Sequence, residues 1–277
     1  MKVIVIGGTG LIGSKLVSKL REHGHDAVPA SPNTGVNTIT GEGLAEVLKG
    51  ASVVVDVSNS PSFEETVAMN FFNTATRNLI QYGKAAGVQH YVALSVVGTD
   101  RLATPRPSDG EKTIRGYFRA KLAQEKLIQE SSIPFSIVHA TQFFEFVKSI
   151  ADTSSDGTTV RVAPVLIQPM AADDVASAVG RVAVGAPVNG IVEVGGPQQF
   201  RIDEFVRLGL AAHNDPRKVI ADPAAGYFGV EVDDRTLVPG KDARLGETRF
   251  EAWLAQSVKQ PANASPSSPA SASVASR

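Results

Sequence analysis

The feature that most constrains this chain lies at its start. A β-branched run, Val3-Ile4-Val5-Ile6, leads directly into Gly7-Gly8-Thr9-Gly10-Leu11-Ile12-Gly13, and a helical pattern follows. Leu11, Ile12, Leu16, Val17 and Leu20 recur at the spacing of one helix face until Gly24, a residue suited to end a helix. Both Gly8-x-Gly10-x-x-Gly13 and Gly7-x-x-Gly10-x-x-Gly13 fit a phosphate-binding turn. In either spacing the glycines permit the tight turn, let backbone approach a pyrophosphate, and bring the helix close to the strand. The helix N-terminus then presents free N–H groups and a positive dipole end to the phosphates. Strand, glycine turn and amphipathic helix occur here in the order a dinucleotide site requires.

The rest of the first two-thirds repeats that rhythm. Ala27-Val28 reads as a second strand and Val36 to Ile39 as a third. A short helix over Leu44, Val47 and Leu48 follows, then a continuous apolar strand from Ser52 to Val57. A long helix from Pro61 to Gly87 precedes a strand from His90 to Val97. A polar loop from Gly98 to about Arg115, long enough to suggest a substrate lid, leads to a helix from Tyr117 to about Gln129. Phe135 to Ala140 returns as a strand. Strands separated by helices imply an α/β fold with a doubly wound parallel sheet, a Rossmann fold. From about Thr141 onward the rhythm loosens, as expected of a small C-terminal substrate lobe. The pattern thus divides the chain into a dinucleotide-binding unit with its lobe over 1–256 and a Ser/Ala/Pro-rich tail, 257–277, expected to be disordered.

Composition narrows the function classes. A net charge of −1 gives no basic excess for nucleic acid or an anionic membrane, so neither is expected as a partner. With no cysteine in the chain, disulfides, thiolate catalysis and Cys-based metal sites are excluded. No metal site is expected from the histidines either; His23 and His25 suit the negative end of a helix. No apolar run reaches the length of a membrane span, and the expected location is the cytoplasm.

Two further patterns bear on chemistry. A carboxylate after the second strand would hold the 2′-hydroxyl of NAD, but Ala30-Ser31-Pro32-Asn33-Thr34 contains none. The segment favours NADP, with NAD possible, and makes Ser31 a candidate at the 2′ position. Tyr117-x-x-x-Lys121 on the predicted helix places a phenol and an ammonium on one face. A nearby ammonium lowers a phenol's pKa, so this pair could deliver a proton to a carbonyl oxygen while the cofactor delivers hydride. Ser95, at the end of the preceding strand, would hold the same oxygen.

Taken together these residues resemble the short-chain dehydrogenase/reductase superfamily, and more closely its atypical NmrA-like branch with quinone reductase-like proteins. The resemblance spans about residues 1–256. It rests on Gly7 to Gly13, Val57-Ser58-Asn59, Tyr91-Val92-Ala93-Leu94-Ser95-Val96-Val97-Gly98, Tyr117-x-x-x-Lys121, Ala140-Thr141-Gln142-Phe143-Phe144, Gln168 to Ala176 and Val194-Gly195-Gly196-Pro197. It implies that Thr9, Gly10, Leu11 and Ile12 contact the pyrophosphate, that Asn37 faces adenine, and that Ser58 and Asn59 line the ribose side. It further implies that Ser95, Tyr117 and Lys121 form the catalytic set, that Lys121 also holds the nicotinamide ribose, and that Thr141 and Gln142 touch nicotinamide. The expected activity is hydride transfer to or from a small carbonyl or quinone compound. Two alternatives stay open: a non-catalytic NAD(P)-sensing regulator, and a nucleotide-sugar epimerase or dehydratase using the same site. Phe143, Phe144, Phe146, Tyr227 and Phe228 are candidates to line an apolar substrate pocket, against ordinary packing of the lobe.

Overall fold

Alternation in the first strand sets the layers of the molecule. In β1 (Lys2–Ile6) Val3 and Val5 face one helical layer while Ile4 and Ile6 face the other, and all four are buried. The structure, a computed structural model, describes residues 1–105 and 114–257. After β1 come α1 (Leu11–Glu22), β2 (Asp26–Ala30), α2 (Leu44–Leu48), β3 (Val53–Asp56), α3 (Glu65–Ala86), β4 (His90–Val96) and α4 (Thr99–Ala103). Then follow α5 (Arg115–Gln129), β5 (Phe135–Ala140), α6 (Val147–Thr153), β6 (Thr159–Val162), β7 (Leu166–Ile167), α7 (Ala172–Val184) and β8 (Gly190–Gly195). The described chain closes with β9 (Phe200–Arg201), α8 (Ile202–Ala212), β10 (Lys218–Ala221), β11 (Arg244–Leu245) and α9 (Phe250–Ser257).

The main sheet is parallel throughout, in the order β2-β1-β3-β4-β5-β8-β11. Helices α1 and α7 cover one face, packing Leu16, Leu20, Val175 and Val179 on Val3, Val5, Val55 and Val138. Helices α2, α3 and α5 cover the other, with Leu44, Leu79 and Ile128 against Ile4, Val54 and Ile137. This is the doubly wound Rossmann architecture expected. Because β2 lies on one side of β1 and β3 on the other, the chain reverses direction there, opening a crevice beyond the carboxyl ends of β1 and β3.

The third strand expected over Val36–Ile39 does not form. Val36 N donates back to Ser31 O, and the Asn37 side chain closes a turn onto Ile39 and Thr40. That leaves β2 as the edge of the sheet, a position compatible with Pro29, which lacks an N–H to donate. The long helix begins at Glu65 rather than Pro61, since Glu64 caps it by accepting from Thr66 N and Val67 N. Within the Gly98–Arg115 segment, α4 is helical and residues 106–113, where the lid was expected, lie outside the described residues. So does the expected disordered tail beyond residue 257.

After β5 the chain moves between the main sheet and a smaller region built from α6, α8, α9 and the small sheets β6–β10 and β7–β9. Phe144, Phe200, Phe205 and Phe250 form its centre, and Trp253 and Leu254 anchor α9 there. Phe144 is therefore a core residue. Helix α5 belongs to both cores: Tyr117, Phe118 and Ala120 pack into this smaller one, Ile128 into the core under the sheet. Among the described residues no helix is long and apolar enough to cross a membrane.

Candidate functional site

The glycine turn is tight where the phosphate-site reading requires it. Gly7 has φ +76° and donates to Ala30 O at 2.9 Å. A Cβ at Gly8 would stand 2.6 Å from Pro29 Cα, and one at Gly13 only 2.1 Å from Gly7 O. Neither position admits a side chain. No side chain caps α1 and no acidic residue occupies its first turn, so its positive end faces the crevice without an internal anion. Thr9 Oγ1 donates to Ser31 Oγ at 3.1 Å, which ties the turn to the end of β2. Asp26 begins that strand, far from its carboxyl end.

On the opposite rim, Thr141 and Gln142 directly follow β5. Both are buried, yet Thr141 Oγ1 and both polar side-chain atoms of Gln142 have no hydrogen-bond partner. Their backbones are engaged: Thr141 N donates to Val194 O and Met170 N to Gln142 O. Buried polar atoms are rarely left unpaired, so three at one strand end fit a bound group that supplies both donors and acceptors. The uncapped helix terminus and the tight glycine turn stand on one rim, and these unpartnered atoms on the other.

Between the rims lie the Tyr117 phenol and the Lys121 ammonium. Tyr117 is 8 % exposed and donates to Asn59 Oδ1 at 2.9 Å, while Ser60 N donates to the same oxygen at 3.0 Å. Phe63, Phe72 and Phe118 meet its ring edge to face. In that apolar setting burial pushes the phenol well above its ordinary range, and the lowering expected from Lys121 is not present. Lys121 is 3 % exposed; its Nζ donates to Leu94 O at 2.9 Å and to Gln124 Oε1, and lies 4.5 Å from the centre of the Phe72 ring. Burial pulls this ammonium down to about 8, against the opposing pull of Asp56 and Glu125.

The match to known proteins decides the family at this point. Residues 7–183 match the NAD(P)H-binding family. The chain belongs to that family. It is 31% identical over 112 residues to a 3-beta-hydroxysteroid dehydrogenase of Mycolicibacterium neoaurum, covering 33% of this chain and 31% of that protein. It is 27% identical over 158 residues to a bifunctional pinoresinol-lariciresinol reductase of Linum usitatissimum, covering 51% and 49%. The chain thus matches 31% to 49% of the length of these relatives. Its fold is that of a short-chain dehydrogenase/reductase superfamily protein from Agrobacterium tumefaciens solved with bound NAD, at a TM-score of 0.67, 15% identity and coverage of 94% and 96%.

Not all of the predicted set converges in this NAD(P)H-binding protein. Tyr117 and Asn59 meet directly, but among the described residues no hydrogen bond joins Ser95 to Tyr117 or Lys121. Ser95 lies opposite His139 in the β4–β5 register, so the two side chains share a sheet face under α5. There the Ser95 hydroxyl donates to Glu125 Oε1 and lies 3.5 Å from Thr99 Oγ1, and His139 Nε2 is 3.0 Å from the same carboxylate oxygen. The Ser58 hydroxyl and N–H both turn to Asp56 Oδ1, at 2.6 and 3.0 Å. Asn37 has its side-chain oxygen engaged in its own turn. Gln124, Glu125 and His139 were missed as members of this network. The only trace of the first two was their position three and four residues after Lys121, on its helix face.

Proposed function

We propose that the chain is an NAD(P)H-dependent oxidoreductase of the short-chain dehydrogenase/reductase type, NmrA-like in branch and NADPH-preferring, acting on a small carbonyl or quinone compound. The observation that carries this reading is the Tyr117 phenol, held by Asn59 at 2.9 Å on the helix that also brings Lys121 to the carboxyl end of β4. The dehydrogenase and reductase names of the two relatives support it. The Gly7–Gly13 turn and the α1 terminus would hold the pyrophosphate. Ser31 would meet the 2′ end, with Asn37 toward adenine, Ser58 and Asn59 on the ribose side, and Thr141 and Gln142 at the nicotinamide end. The Ser31 hydroxyl, with no carboxylate at the end of β2, favours a 2′-phosphate.

The bound cofactor supplies or accepts a hydride. A phenol kept neutral by burial serves as a proton donor, which suits the reductive direction. Asn59 holds the Tyr117 proton until a substrate oxygen takes the place of Asn59 Oδ1 as acceptor; the proton then passes to that oxygen as negative charge develops on it. Lys121 contributes positive charge below about pH 8. Ser95 supports Glu125 beneath the site, and Tyr117 carries the proton step.

The test is NADPH oxidation across a panel of aldehydes, ketones and quinones, with Tyr117→Phe beside the parent protein. For a ketone or aldehyde the variant should lose about 10²–10⁴ in turnover while NADPH affinity holds. A quinone, whose reduced anion is stabilised by its own ring, should depend less on the phenol. No turnover of any compound, or parental turnover of a ketone by the variant, refutes the reading.

A further inference from the structure

We propose that Gln124 is a positioning residue for Lys121, aiming its ammonium and leaving it a single N–H for a ligand. The inference rests on the reading above in taking that ligand to be the cofactor. An ammonium has three N–H groups. Leu94 O takes one at 2.9 Å and Gln124 Oε1 takes a second. The other end of the Gln124 amide donates from Nε2 to Asp56 Oδ2 at 3.0 Å. Its sense is fixed by the charges at both ends, because a reversed amide would set its NH₂ against an ammonium and its carbonyl against a carboxylate.

Asp56 makes a rigid anchor for this bridge. Ser58 N and the Ser58 hydroxyl fill Oδ1, and the Tyr91 hydroxyl donates to Oδ2 at 3.3 Å. Asp56 and Gln124 are each 1 % exposed, so the bridge runs through a dry interior where hydrogen bonds to charged groups are strong. The titratable groups around Lys121 are Asp56 from β3, Tyr91 from β4, and Tyr117 and Glu125 from its own helix, with His139 of β5 reaching it through Glu125. Helix α3 offers the Phe72 ring.

The donor count has a consequence for the site. With one N–H left, Lys121 cannot serve the phenol and a ribose hydroxyl together. Asn59 already holds the phenol, so the remaining N–H is the cofactor's. Loss of the Gln124 acceptor removes one hydrogen bond from the charged form of Lys121 and leaves burial less opposed, so the ammonium should lose its proton at lower pH.

The experiment is NADP⁺ affinity by calorimetry from pH 6.5 to 9.5, on the parent protein, Gln124→Met, Gln124→Glu and Lys121→Met. In the parent, affinity should fall as pH rises through about 8. Gln124→Met should match the parent's affinity within about threefold where Lys121 is still charged, and lose it at least one pH unit earlier. Gln124→Glu keeps an acceptor toward Lys121 whether or not it is protonated, so its midpoint should stay at or above the parent's. Lys121→Met should bind weakly with no step near pH 8. If Lys121→Met is silent, the cofactor assignment of Lys121 falls, and this proposal with it. If Lys121→Met weakens binding but Gln124→Met keeps the parent's midpoint, the positioning role alone is overturned. Should Gln124→Met fail to fold, Gln124→Glu decides: a midpoint below the parent's refutes the proposal.

Discussion

Replacing Thr141 by valine should stabilise the cofactor-free protein and weaken cofactor binding, an unusual pairing that tests what the unpartnered atoms at the end of β5 are for. Thr141 is 1 % exposed and its hydroxyl has no partner. An unsatisfied buried polar group costs about 1–3 kcal/mol, and valine fills nearly the same space without that group. At roughly 2–4 °C per kcal/mol for a chain approaching this size, the melting temperature without cofactor should rise by a few degrees. If the hydroxyl bonds the cofactor, the variant forgoes about 0.5–1.5 kcal/mol on binding, or about two- to tenfold in Kd. Thermal melts with and without saturating NADPH, and calorimetric titration of both proteins, measure the two effects separately. A lower melting temperature without cofactor together with an unchanged Kd would refute the reasoning, since the hydroxyl would then be satisfied within the protein.

Two other substitutions probe the opposite rim. Ser31→Asp should set a carboxylate where a 2′-phosphate would lie, so that NADH binds more tightly than NADPH; tighter NADH binding by the unmodified protein would count against the preference proposed here. Gly13→Ala drives a methyl to 2.1 Å from Gly7 O, and overpacking of this kind costs about 1–3 kcal/mol. Its melting temperature should drop by several degrees and its dinucleotide affinity by at least about tenfold; parental values for both would show that the turn has room to spare.

Strands β1 to β5 were legible from the sequence as short apolar runs separated by helices that repeat at 3.6 residues, whereas β8 and β11 of the same sheet come from the part read as a substrate lobe. Val36–Ile39 misled because a β-branched start suggests a strand, whereas Gly35 and the Asn37 turn bend the chain back on Ser31. Helix α6 was hidden by its polar face and its short length. At the site, the phosphate turn could be read because its glycines are spaced by backbone geometry alone. Ser95 could not be placed in the same way. Its partner was decided by strand register and by which face of β4 lies under α5, and both are properties of the assembled sheet. Asn59 was legible as a residue after a strand, but its bond to Tyr117 spans 58 positions and leaves no local pattern.

Helix α5 threads two cores, and this has a mechanical consequence. Tyr117 shares a continuous cluster with Phe144 and with Phe205, Phe250 and Leu254, the last three contributed by the last part of the described chain. The rings that meet the phenol directly include Phe72 and Phe118 of the same cluster, so residues far along the chain back its immediate contacts. Loosening that distant packing admits water to Tyr117 and draws its proton affinity back toward that of a free phenol, while the glycine turn at β1 stays as it was. In the proposed function the phosphate turn and the proton donor thus draw on different packing clusters, and drift in the C-terminal packing would reach Tyr117 before it reached the turn.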